Sequence, residues 1–143
     1  MKKQEQFLNE LVGSYGVFYI KLHQYHWFVK GPEFFQLHEK FEELYDEATA
    51  DLDEVAERLL QIEGKPISTL AEFLEASFIK ETKYKSMTPK AMLEATVADY
   101  KTFKEKITEG YDIFEGDEVT TDILVGLETK IDKHIWMLTA TLA

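Results

Sequence analysis

Two histidines and three carboxylates between positions 26 and 57 have the atoms needed to hold a transition metal. His38 and Glu42 stand four residues apart, and so do Asp53 and Glu57. On an α-helix each pair shares a face, because residues i and i+4 lie one above the other. Imidazole nitrogen combined with carboxylate oxygen suits iron, manganese or zinc. Carboxylates at this spacing are most often just a solvated face. Their conjunction with His26 and His38 is what points to chemistry.

Distance constrains how these groups can meet. If the segment after Pro32 is one continuous helix, His38 and Asp53 are separated by about 22 Å of axial rise. They cannot ligate one metal within a single chain. Paired antiparallel with a second copy of itself about a two-fold axis, the same helix brings 38 opposite 57 and 42 opposite 53. Both pairs then converge across one self-complementary interface. His26 joins them if the chain turns at Gly31-Pro32, since 26 and 38 are equidistant from position 32. The expected centre is His26, His38 and Glu42 from one subunit with Asp53 and Glu57 of the partner subunit.

Four long helices are needed to position such a centre, and the apolar spacing supplies them. From about Lys3 to Val29, residues Leu8, Leu11, Tyr15, Phe18, Leu22 and His26 step by three and four, the signature of an amphipathic helix. Gly13 and Gly16 interrupt its propensity and suggest close helix packing. A second helix, about Glu33 to Ile62, has a core face of Phe34, Leu37, Phe41, Leu44, Ala48, Leu52, Val55 and Leu59. His38, Glu42, Asp53 and Glu57 fall on the next face round. Glu39, Glu43, Asp46, Glu47 and Glu54 form a third, wholly acidic face, with Gly64 and Pro66 as the helix stop. A short helix is expected over Thr69 to Ala76. Thr88-Pro89 then opens a third long helix to about Tyr111, with Met92, Leu93, Val97, Tyr100, Phe103 and Ile107 inward. The last runs from near Asp117 to Leu142 on a stripe of Ile123, Leu127, Ile131, Ile135, Leu138 and Leu142.

The run His26-Trp27-x-Val29-x-Gly31, then Leu37-His38-x-x-x-Glu42, then Leu52-Asp53-x-Val55-Ala56-Glu57-Arg58 closely resembles the Dps-like mini-ferritins, as does Ile131-Asp132-Lys133-His134-Ile135-Trp136. The resemblance extends along the chain. It implies an all-α, ferritin-like four-helix bundle with a short helix in the long crossover between the second and third helices, residues 1–143 forming one domain. It implies a ferroxidase site between two subunits at these five positions, with Fe²⁺ and hydrogen peroxide as substrates. It also implies a hollow homododecamer built on the two-fold contact and storing ferric mineral, for protection against oxidative damage. The acidic third face would line the cavity, and Asp117 and Asp122 would line an iron pore at a three-fold axis. Their plain reading is acids at a helix N-terminus, favoured by the dipole. Glu42 departs from the many members that carry Asp there, and reaches one methylene further. Trp27 would pack in the interface or intercept stray electrons, and His23 and His134 would be structural. No Glu-x-x-His occurs, the motif that builds di-iron sites inside a single bundle.

Composition agrees with this reading. There is no cysteine, which excludes disulfides and thiolate metal sites and fits a reducing compartment. The first residues lack a signal-peptide apolar run, and no stretch approaches the roughly 18 apolar residues of a membrane span. A cytoplasmic, membrane-free protein is expected. Asp+Glu total 27 against Lys+Arg 16, a formal charge of −11 that repels phosphate backbones. Some family members compact DNA through a lysine-rich tail. Here only Lys2 and Lys3 precede the first helix, so a DNA-binding, nucleoid-protecting role is the alternative rather than the expectation.

Overall fold

The computed structural model describes residues 2–143, and those residues form five helices and no strand. They are α1 (Lys2–Phe28), α2 (Phe34–Gln61), α3 (Leu70–Ala76), α4 (Pro89–Ile113) and α5 (Glu118–Leu142). The all-α bundle with a short helix in its crossover is as the sequence predicts. Side-chain pairings give the directions. Lys21 with Asp99 and Lys106 with Glu10 set α4 antiparallel to α1. Glu47 with His134 and Arg58 with Asp117 set α5 antiparallel to α2. The crossover therefore carries the chain back along the bundle, so that α2 and α4 run parallel.

Local sequence sets the helix ends. Thr88 caps α4, its hydroxyl accepting from the Ala91 N–H at 3.1 Å, and Pro89 occupies the first turn where its missing N–H costs nothing. Thr69 caps α3 through the Glu72 N–H, and the Glu72 carboxylate accepts in return from the Ser68 N–H and the Thr69 hydroxyl. The stop of α2 differs from expectation. Glu63, not Gly64, takes the left-handed conformation, at φ 67°. The Gly64 N–H reaches back to the Leu59 carbonyl at 2.8 Å, closing a Schellman motif in which a Cβ on Gly64 would strike Leu59.

The core is aromatic-rich. Tyr15 stacks on Phe103 with centroids 4.5 Å apart, Phe18 meets Tyr100 edge-on at 5.0 Å, and Phe7 meets Phe114 at 5.8 Å. Each fully buried side chain of this size contributes about 2–3 kcal/mol. Every inward residue expected on α1 and α4 is buried. On α5 the helix is rotated slightly from expectation, with Leu124 fully buried and Ile123, Ile135 and Leu142 only half-buried. On α2, Phe34 and Leu52 are likewise half-buried, while the charged Asp51 lies inside. Gly13 and Gly16 let α3 lie directly on α1. A Cβ at Gly13 would sit 2.8 Å from the Phe73 carbonyl oxygen, and one at Gly16 would sit 2.5 Å from the Phe73 ring.

Candidate metal centre

Gly31, at φ 113°, turns the chain between α1 and α2 and brings the last turn of one against the first turn of the other. There His26 and His38 exchange hydrogen bonds. The His26 Nδ1 lies 2.6 Å from the His38 carbonyl, and the His38 Nδ1 lies 2.7 Å from the His26 carbonyl. A carbonyl only accepts, so each Nδ1 must carry the proton. In the neutral ring that leaves the lone pair on Nε2, ready for a metal. The two rings stack at 3.7 Å, tilted by 13°, with Phe34 stacked on the far side of His38 at 4.9 Å.

Glu42 approaches the same pair from the next turn of α2. Its Oε1 lies 3.9 Å from the His26 Nε2, too far for a hydrogen bond. Two ligand atoms each about 2.1 Å from one ion stand up to about 4.2 Å apart, so the gap fits a shared cation. Asp53 and Glu57 are exposed four turns further along α2, and no hydrogen bond or ion pair among the described residues engages either. Among the described residues, no three His, Cys, Asp or Glu side chains gather closely enough within one chain to hold a metal ion. Of the five expected ligands the fold brings together three.

The surroundings are aromatic and partly uncovered. Trp27 and Phe35 are 64% and 81% exposed beside the two histidines. His23 bonds the Tyr19 carbonyl through Nδ1 at 2.9 Å and stacks on Tyr45 at 3.7 Å. Tyr45 in turn stands edge-on to His26 at 5.3 Å. Sequence reasoning missed Tyr45, although 38, 42 and 45 share one helical face, and it took Phe34 only as core.

Two other groups of acids resolve differently. Asp117 caps α5, accepting from the Thr120 N–H at 3.0 Å and its hydroxyl at 2.6 Å, and Arg58 reaches the same carboxylate at 3.2 Å. Burial works to raise its pKa, but the Thr120 bonds and the Arg58 charge prevail and hold it below the usual carboxylate range. Asp122 is exposed. Of the acidic face of α2, Glu39, Glu43, Asp46 and Glu54 are exposed, but Glu47 turns inward to His134 at 2.6 Å. That face is therefore not wholly solvent-facing.

No helix among the described residues is long and apolar enough to cross a membrane. A ferritin-like domain model matches residues 5–143. The DNA protection during starvation protein 2 of Bacillus anthracis is 47% identical over 145 residues, covering 99% of each chain. General stress protein 20U of Bacillus subtilis is 45% identical, covering 96% of this chain and 95% of that one. Among solved structures, Dps from Staphylococcus aureus matches with a TM-score of 0.96 at 41% identity, covering 100% of this chain and 97% of that one. Dps from Listeria innocua, in a crystal soaked with zinc, matches with a TM-score of 0.93 at 44% identity, covering 97% and 95%. With this fold, and relatives matched along nearly their whole length, the chain belongs to the ferritin-like family as a Dps-like mini-ferritin.

Proposed function

We propose that the protein is a ferroxidase that oxidises Fe²⁺ at sites shared between two subunits and stores the ferric product inside a hollow homododecamer. The observation that carries this reading is the reciprocal exchange between His26 and His38. It fixes both rings through Nδ1 and, in the neutral tautomer, leaves the lone pair of each on Nε2. Such carbonyl anchoring holds a metal-binding imidazole in one orientation and one tautomer. Glu42 lies where it can share an ion with His26. Asp53 and Glu57 of the partner subunit would supply the remaining oxygens, and an antiparallel two-fold contact would also cover Trp27 and Phe35.

In the reaction two Fe²⁺ ions each give up one electron. Hydrogen peroxide accepts both, its O–O bond breaks, and two protons complete two waters. Taking both electrons in one event avoids releasing a hydroxyl radical. Glu42, with its longer reach, would hold the weaker second iron. The exposed acids of α2 would nucleate the mineral, and Asp122 together with Asp117, the cap of α5, would line the pore. A stress-protective role accords with the relatives' names, and a cytoplasmic location belongs to the same reading. A second reading, protection of DNA by direct binding, draws on those names too, but the charge of −11 opposes it.

The test is peroxide-driven Fe²⁺ oxidation by His38→Ala and Asp53→Ala proteins. Each should lose at least about tenfold in initial rate, about 1.4 kcal/mol of transition-state stabilisation. Oxidation at the wild-type rate in both would overturn the assignment.

A further inference from the structure

The lysines of α2 and α5 are not spread evenly. Lys40 and Glu47 stand two turns apart on one face of α2, and Lys130, Lys133, His134 and Met137 share one face of α5. The antiparallel register turns these faces together, with Glu47 bonded to His134 at 2.6 Å and Asp51 paired with Lys130. Between them lies an open cleft of about 290 Å³, lined by Lys40, Glu47, Lys130, Lys133, His134 and Met137. It is separate from the histidine pair. Lys40 follows His38 by two positions, about 200° around α2, so the two residues sit on opposite sides of that helix.

Three ammoniums on one cleft stand out in a chain of charge −11. The acids that could quench them are committed or loosely held. Glu47, the one carboxylate in the lining, is taken by His134. Asp51 is buried against Lys130, whose side chain stays 39% exposed and has further N–H donors to give. Lys40 touches Glu43 at 3.5 Å, a surface contact of the kind an anion can displace. Lys133 is exposed and forms no ion pair among the described residues. We propose that this cleft binds inorganic phosphate, with Lys40, Lys130 and Lys133 as its donors. A compact oxyanion carries acceptor oxygens on every side and can take hydrogen bonds from several ammoniums at once. A water molecule's share of the liquid is about 30 Å³, so the cleft has room for the ion with part of its hydration. The free ion suits it better than a nucleic-acid backbone, because the exposed Glu43 and Glu54 on the same side of α2 repel an extended polyanion. Where those acids gather ferric ions, bound phosphate would offer the growing mineral anionic oxygens. That role rests on the ferroxidase reading; the anion site does not.

Iron-free native protein, dialysed to equilibrium against inorganic phosphate at low ionic strength, tests the site without any turnover. Saturable binding of one phosphate per chain is expected. Lys40→Ala/Lys133→Ala should weaken it at least about tenfold, while Lys40→Arg/Lys133→Arg should keep it. Lys130 is left in place so that Asp51 stays paired. Lys83→Ala/Lys85→Ala removes the same charge from the exposed crossover and should bind phosphate as the wild type does. No saturable binding, or an equal loss in both alanine pairs, would overturn the proposal. Displacement of the phosphate by a short single-stranded oligonucleotide would overturn it too, by assigning the lysines to a polymer backbone. Peroxide-driven iron oxidation in the absence of phosphate should be unchanged in Lys40→Ala/Lys133→Ala, so failure of the anion site and failure of the ferroxidase reading are told apart.

Discussion

At the scale of single residues, the histidine pair of the proposed metal site is oriented by backbone alone, without any charged helper. Each imidazole is held by the other's carbonyl, so neither needs a carboxylate that would compete for the ion. Asp51 shows the opposite arrangement, a carboxylate buried for structural reasons. Burial raises its pKa to about 6 despite the Lys130 ammonium. A carboxyl whose folded pKa is raised favours the folded state fully below the unfolded value, about 3.9, and loses that contribution as pH rises through 6. Comparing thermal melts of the wild type and Asp51→Asn should therefore show a gap that moves in favour of Asn between about pH 4 and pH 6, and is flat above. A gap independent of pH would mean Asp51 ionises as an ordinary surface carboxylate. Glu47, one turn away, works in the other sense. Burial raises its pKa, but the His134 bond and charge outweigh that and lower it, so its contribution is lost only at lower pH.

At the scale of elements, the contact of α1 with α3 depends on two missing side chains. Gly13 and Gly16 cost helix propensity, yet they allow Phe73 to lie on the α1 backbone. Gly16→Ala would gain about 1 kcal/mol of propensity. It would also place a methyl 2.5 Å from the Phe73 ring, and relieving such overpacking costs about 1–3 kcal/mol. A net loss of about 1 kcal/mol in denaturant unfolding is expected, recovered by the double change Gly16→Ala/Phe73→Leu. The sequence pattern marked these glycines as interruptions and sites of close packing. It could not name Phe73, because nothing in α1 specifies which crossover residue will lie across it.

At the scale of the whole molecule, the decisive feature is that one chain holds only half of the proposed ligand set. Equal amounts of His38→Ala and Asp53→Ala chains, unfolded together and refolded, should regain about a quarter of wild-type ferroxidase activity. Half of the randomly formed pairs are mixed, and in each of these one of the two sites has every ligand intact. Iron oxidation assayed before and after co-refolding checks this. Activity no higher than the sum of the separate proteins would place the site within one subunit.

Periodicity and punctuation determined the helices themselves. Apolar steps of three and four, Thr88-Pro89 and the Gly31-Pro32 turn left little freedom in where elements begin and which face is buried, because those signals act within a few residues. The turn also determined that His26 and His38 would meet. Tertiary structure alone decided the rest. Glu47 read as part of an acidic face of α2, yet it turns inward to His134 of α5, and Asp51, which the pattern did not single out, is buried against Lys130 of the same helix. Asp117 read as a helix-start acid, and the fold adds what spacing could not give, an Arg58 from another helix on the carboxylate that caps α5. A charge's position along a helix can be read from spacing. Its partner lies some 60 to 90 residues away, and only the folded register brings the two together.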